Sequence, residues 1–152
     1  MNVGYLRKAT EQDTDLLFQW ANEKSVRDHA FSTKKIAYKD HIKWFKEILY
    51  KDDAMQYIYM HDGQAVGQVR VNCTDIEAEI DYSICAEKRG LGYGRDMIGL
   101  LYEQVRQDFP QIKKLTAKVK INNIASHRVF LNTGYKNVYS VYEMEIEKES
   151  WI

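Results

Sequence analysis

The chain has 152 residues, with 22 Lys and Arg against 22 Asp and Glu. That length matches one domain, 1–152, large enough to bury a core without disulfides or metal. Balanced charge with no same-sign block argues against a nucleic-acid protein and leaves recognition to a pocket; with no apolar leader and no run of ~18 apolar residues, a cytoplasmic protein is expected.

Residues 3–9 read as a short edge or near-edge strand, and Thr10-x-x-Asp13 is a capping-box start to a helix with Leu16, Leu17, Trp20 and Ala21 on one face. A polar stretch, 23–35, leads to a second helix over 38–50, with Ile42, Phe45, Ile48 and Leu49 at helical spacing. Residues 56–61, 65–72 and 77–84 alternate as an antiparallel meander, the first two joined by an Asp62-Gly63 turn. Cys73 and Cys85 lack C-x-x-C or Cys/His spacing, so they read as reduced thiols and no metal site is expected. A helix over 92–109 is stopped by Pro110, the only proline; then come a strand over 115–120, a helix over 123–132 ended by Gly134, and a final hairpin from 135 to about 146. This order implies an α/β (α+β) fold, a mixed, mostly antiparallel sheet of six to seven strands with about four helices on both faces.

Three of the eight glycines fall in Arg89-Gly90-Leu91-Gly92-Tyr93-Gly94, between a strand and the longest helix. Glycines let the backbone turn with positive φ, and the first N–H groups of a helix are free to hold an anion. A dinucleotide loop, G-x-G-x-x-G, would need its third glycine where Arg95 stands, and no Gly-Lys-Ser/Thr is present for a nucleotide-triphosphate loop.

The segment resembles the [Q/R]-x-x-G-x-[G/A] signature of the GNAT N-acetyltransferases, filled by Arg89, Gly92 and Gly94. Upstream, Ala78-Glu79-Ile80-Asp81-Tyr82-Ser83-Ile84 resembles that family's fourth strand, with Ala86 where relatives carry proline. Downstream, Asn123-x-x-Ser126-x-x-Val129-Phe130 and Gly134-Tyr135 resemble the motif that closes the coenzyme site. The resemblance spans about residues 3–147 and implies that strands four and five splay apart around acetyl-coenzyme A. It assigns the cofactor to backbone groups of Ile84 and Cys85, to Arg89, Gly90, Leu91, Gly92, Tyr93, Gly94 and Arg95, and to Asn123, Ser126 and Phe130.

For the transfer itself, Glu79 and Asp81 share one face of a strand as candidate bases, although Glu79 reads equally as an ion-pair partner of a neighbouring Lys or Arg. A backbone N–H near Ser83 or Ile84 is expected to meet the carbonyl oxygen. Phe130 stands where many relatives carry the tyrosine that protonates the leaving thiolate, so either another hydroxyl, Tyr135 or Ser126, supplies the proton, or the thiolate leaves unaided, its pKa being close to the ~8.5 of a free Cys. The set Trp20-Ala21-Asn22, Arg27, Phe31 and His41-x-x-Trp44-Phe45 resembles the branch acting on nucleotide-linked amino sugars, which makes Arg27, His41 and Trp44 the substrate-binding candidates; His41 alone reads equally as structural. The expected function is N-acetylation of a small-molecule primary amine by a monomer or homodimer. Alternatives are acetylation of a protein N-terminus or polyamine, and a catalytically silent coenzyme-binding module.

Overall fold

A computed structural model describes residues 3–147. Its strands are β1 (Tyr5–Lys8), β2 (Ala54–His61), β3 (Gln64–Thr74), β4 (Glu77–Ile84) and β5 (Lys114–Thr116). They form one sheet in the order β1-β2-β3-β4-β5, antiparallel except for the parallel β4–β5 pair. The helices are α1 (Thr14–Ala21), α2 (Lys24–His29), α3 (Tyr38–Tyr50), α4 (Tyr93–Asp108) and α5 (Ile124–Asn132).

Period-two alternation divides the core between the two faces of the sheet. Tyr57, Tyr59, Val69, Val71 and Ile80 pack with Met97, Ile98, Leu101 and Val105 of α4, while Ile58 points the other way to meet Leu17 of α1 and Phe45 of α3. Each fully buried side chain of this size stabilises the fold by about 1.5–3 kcal/mol before chain entropy is counted. The Thr10 box forms as read, with the Asp13 carboxylate accepting from the Thr10 N–H at 2.8 Å. Asp62 and Gly63 turn with φ of 53° and 74°, the left-handed pair that matches a twisted hairpin. α4 ends at Asp108, two residues before Pro110.

Three expectations need correction. Among the described residues the sheet has five strands, not six to seven, because 135–147 forms no hairpin and β5 is only three residues long. The described residues form five α-helices rather than about four: α2 arises inside the stretch read as polar, where the Glu23 carboxylate accepts from the Val26 N–H and supplies the cap. Strand β1 is also shorter than 3–9.

Candidate active site

β4 and β5 pair only at Glu77↔Lys114, Ala78↔Leu115 and Glu79↔Thr116, after which β4 continues to Ile84 paired with β3 alone. The gap opens into a cleft of about 1060 Å³, bounded by β4, residues 117–120, the glycine loop and the faces of α3 and α5. Such a volume is at the upper end for a small-molecule site, about 300–1,000 Å³, enough for a long ligand and a second reactant.

Hydrogen-bond alternation decides which backbone groups face the gap. The Cys85 N–H donates to Val66 of β3 at 2.9 Å, and the Lys113 N–H donates to Ile76 on the opposite side at 2.7 Å. Odd residues of β4 are therefore spent on β3, and Ile80, Tyr82 and Ile84 turn their backbone groups toward the opening. This removes the Cys85 amide from the expected set and selects Ile84 over Ser83 as the outward donor. The Ile84 carbonyl accepts from the Arg89 Nε at 3.0 Å, which ties the strand's end to the loop.

The glycine loop opens α4 without a side-chain cap. Gly92 is the N-cap with φ 85°, a conformation that penalises any Cβ, and the first intrahelical amide is Asp96, donating to the Gly92 carbonyl. The N–H groups of Tyr93, Gly94 and Arg95 stay outside the helical ladder at the cleft wall. At Gly94 an added Cβ would lie 3.3 Å from Val129 Cγ2, so glycine here lets α4 approach α5. Gly90 and Leu91 complete the wall, and Arg89 pairs with Glu23 at 2.7 Å, an interaction that lowers the Glu23 carboxyl's pKa. Lys88, Arg95, Lys118, Lys120 and Arg128 also line the cleft, with Asp81 the only carboxylate among its described lining. An uncapped helix start amid this basic wall fits a diphosphate-bearing coenzyme.

Asn123 caps α5, accepting from the Ser126 N–H at 3.2 Å, and Ser126 Oγ lies 2.8 Å from Tyr82 Oη. Burial raises the Tyr82 pKa. Phe130 is in the core, edge-on to Tyr82 at 5.6 Å. Tyr135 does not line the cleft: its hydroxyl is buried without a hydrogen-bond partner among the described residues and burial raises its pKa to about 12. The cleft hydroxyl that sequence reasoning missed is Tyr82, hidden because its strand position reads as apolar.

On the α3 side of the sheet a recess of about 290 Å³ holds Glu79, Asp81, Arg70, Lys118 and Phe31. Asp81 Oδ2 lies 3.8 Å from Arg70 Nη2, and Glu79 Oε1 lies 3.6 Å from Lys118 Nζ. Gln68 Nε2 donates to Asp81 Oδ1 and Ser83 Oγ, and Gln56 donates to Gln68. The Trp44 ring stacks under the Arg70 guanidinium at 4.8 Å, at the edge of the cleft. Neither Arg70 nor Gln68 was visible as a site residue from sequence, since only register brings them opposite Asp81 and Ser83.

Two substrate candidates have other work. Arg27 donates to the carbonyls of Ala21, Ser32 and Lys34 at 2.7–3.2 Å, clamping the loop after α2 rather than presenting a fork to a phosphate. His41 is 2% exposed and its Nε2–H donates to the Thr14 carbonyl at 2.9 Å, joining α3 to α1. Both also line the cleft.

The model of the acetyltransferase (GNAT) domain matches residues 5–136. No curated protein sequence matches the chain significantly. The aminoglycoside acetyltransferase AAC(6')-Ib, solved with paromomycin and acetyl-coenzyme A, superposes with a TM-score of 0.80 at 20% identity, over 91% of this chain and 86% of that one. The spermidine N-acetyltransferase of Vibrio cholerae, solved with coenzyme A and spermine, gives 0.81 at 15% identity over 95% and 88%. RimL, an alpha-N-acetyltransferase of a ribosomal protein solved with coenzyme A, gives 0.75 at 17% over 87% and 79%. At these identities the structures establish the fold, while the domain match spans most of the sequence: the chain belongs to the GNAT acetyltransferase family, and with it to the acetyl-coenzyme A-dependent N-acetyltransferases.

Proposed function

We propose that the chain acetylates a primary amine of a small, polyhydroxylated acceptor, an amino sugar, with a nucleotide-linked amino sugar favoured. The observation that carries the transferase reading is the uncapped start of α4 at Gly92, facing the gap that opens where β5 leaves β4. Acetyl-coenzyme A supplies the acetyl group as an activated thioester. The Tyr93, Gly94 and Arg95 amides hold the diphosphate, and the outward backbone of Tyr82 and Ile84 offers strand-like hydrogen bonds to the arm beyond it. The Ile84 N–H, turned toward the gap, is the donor that would stabilise carbonyl oxygen charge, worth about 10²–10³ in rate for such a group.

The acceptor amine enters from the α3 face, where Glu79 and Asp81 can take its proton directly or through a water. Tyr82, kept protonated by burial, is the hydroxyl on the opposite wall that can return a proton to the departing sulfur. Trp44 offers an apolar plane of the kind sugars and bases stack on. The two recess carboxylates are matched by Arg70 and Lys118, and the adjoining wall is basic, which suits a neutral or anionic acceptor better than a polycation. The named relatives acting on an aminoglycoside and on spermidine define the competing polycationic class.

The test is thioester consumption, followed with a free-thiol reagent against amino-sugar nucleotides, aminoglycosides, polyamines and N-terminal peptides. Selective turnover of the first class, with kcat/KM at least 10²-fold above the others, is the expected result. Preference for spermidine or an aminoglycoside overturns the acceptor assignment, and coenzyme binding without turnover of any amine leaves the silent module instead.

A further inference from the structure

The face of the sheet that α3 covers is apolar where Ile58 meets Leu17 and Phe45, as a buried strand face should be. Toward the cleft it changes character. Pairing sets Arg70 beside Gln56 and Asp81, and Gln68 beside Ser83, so five polar side chains share that face in two adjacent rows. Gln56 is 3% exposed and Gln68 8%. Apolar side chains would fill both positions without the cost of desolvating two amides, so the pair contributes through its hydrogen bonds.

Those bonds run in one direction, set by a backbone carbonyl. Gln56 Nε2 lies 3.2 Å from the Tyr57 carbonyl oxygen, which can only accept, so the Gln56 amide presents its NH2 group there. The same nitrogen donates to Gln68 Oε1 at 2.7 Å, which turns the Gln68 NH2 group toward β4. Gln68 Nε2 then donates to Asp81 Oδ1 at 3.3 Å and to Ser83 Oγ at 3.2 Å. A reversed Gln68 amide would oppose NH2 to NH2 at one end and oxygen to carboxylate at the other, so only one orientation satisfies the network.

We propose that Gln68, oriented by Gln56, is the positioning residue of the acceptor site: it holds Asp81 by one carboxylate oxygen and leaves the Ser83 hydroxyl to donate to the acceptor. This rests on the amine entering from the α3 face, as in the proposed function. The Asp81 side chain is 58% exposed, and Arg70 Nη2, 3.8 Å from Oδ2, is too far for a hydrogen bond and acts on it by charge alone. Gln68 is therefore what fixes the carboxylate's direction, with Oδ2 open to the acceptor's ammonium. Ser83 Oγ already accepts from Gln68, and no described group accepts from it, so its single O–H is left for a hydroxyl oxygen of a sugar-like acceptor. Gln56, Gln68, Asp81 and Ser83 all line the cleft.

Gln68→Met keeps the length of the side chain and removes its hydrogen bonds. The acceptor in the test is whichever of an amino-sugar nucleotide, an aminoglycoside, spermidine or an N-terminal peptide gives the highest kcat/KM. With it, Gln68→Met should lower kcat about 10-fold and raise acceptor KM about threefold, with the acetyl-coenzyme A Kd within about twofold. Placed in Asp81→Asn, the same change should alter kcat by no more than about twofold, because the group it positions is already gone. Gln56→Met should lower kcat about threefold in the same cycle, and it carries the test by itself if Gln68→Met does not fold. Ser83→Ala should raise acceptor KM about threefold with kcat within about twofold.

A kcat loss of equal size with and without Asp81→Asn overturns the proposal and leaves the acceptor reading standing, since the glutamines then serve the fold and not Asp81. Wild-type kinetics in the folded glutamine variants do the same. An unchanged KM in Ser83→Ala overturns the part assigned to that hydroxyl. Wild-type kinetics in Asp81→Asn, or no turnover of any of the four amines, overturn the acceptor reading and the proposal together.

Discussion

Tyr82 Oη and Ser126 Oγ lie 2.8 Å apart, joining the part of β4 that β5 leaves uncovered to the first turn of α5 at the wall of the cleft. The pair occupies the neighbourhood in which Phe130 leaves no hydroxyl, and Phe130 packs edge-on against the same Tyr82 ring.

Tyr82→Phe keeps that packing and removes only the hydroxyl. If Tyr82 returns the proton to sulfur, kcat should fall about 10–10²-fold while the acetyl-coenzyme A Kd changes less than threefold. Pre-steady-state kinetics and calorimetry separate the two quantities. An unchanged kcat removes Tyr82 from the mechanism.

If the glycine loop holds the coenzyme, Gly92 is the residue on which its affinity turns. Its φ of 85° penalises an L side chain by about 1–2 kcal/mol, and no neighbouring atom lies within 4 Å of a Cβ built there, so the fold should tolerate a change. Gly92→Glu adds a carboxylate at the anion site and should weaken coenzyme binding at least 10²-fold with the circular dichroism spectrum retained. Equal affinity in calorimetry would count against the whole assignment of the loop.

The strand-to-loop-to-helix passage around 77–95 was legible from sequence because strand alternation, glycine spacing and helix periodicity are local signals that agree. What lay beyond reach depended on register. Arg70 and Gln68 join Asp81 and Ser83 only through the β3–β4 pairing, and the carbonyls that hold Arg27, at Ala21, Ser32 and Lys34, and His41, at Thr14, carry no signal in the sequence. The last hairpin failed for a related reason. Residues 142–147 have the alternation of a strand, but alternation does not say which edge the strand will cover.

Glu79 and Asp81 can be told apart by substitution. Glu79 bridges to Lys118 beside the last β4–β5 pair, whereas Asp81 lies farther along β4, on Arg70 and Gln68, and belongs to both the recess and the main cleft. Asp81→Asn should therefore raise the acceptor KM as well as lower kcat. Glu79→Gln should lower kcat about 10-fold or more with little change in KM. A kcat equal to that of wild type would leave Glu79 a structural ion pair with Lys118.

Trp44 and His41 are one helical turn apart on α3 and should respond oppositely. His41→Ala empties a buried position and leaves the Thr14 carbonyl without its donor, at a cost of about 1–3 kcal/mol in urea unfolding, with acceptor KM within twofold. Trp44→Ala should raise acceptor KM about 10-fold and spare the acetyl-coenzyme A Kd, since its ring lies against Arg70 rather than the glycine loop. A large KM effect from His41→Ala at unchanged stability would return His41 to the substrate site.

Acid stability should be governed in part by Asp13. Its carboxylate accepts from both terminal nitrogens of Arg7 at 2.8 Å and from the Thr10 N–H, and the Arg7 hydrogen bonds are the main cause of a pKa held below the ordinary 3.8. A depressed carboxyl pKa means that the folded state binds its proton less readily than the unfolded chain. The stabilisation is therefore complete above the unfolded pKa, fades as pH drops through 3.8, and is gone below the folded pKa. Asp13→Asn should lose about 1–3 kcal/mol at pH 7, below the ~3–5 kcal/mol of a wholly buried pair because Arg7 remains 34% exposed. Its stability, measured by urea unfolding from pH 7 to pH 2.5, should approach that of wild type at the acid end. A deficit that stays constant across this range would mean that the loss is one of packing and capping, with the charge of Asp13 contributing nothing.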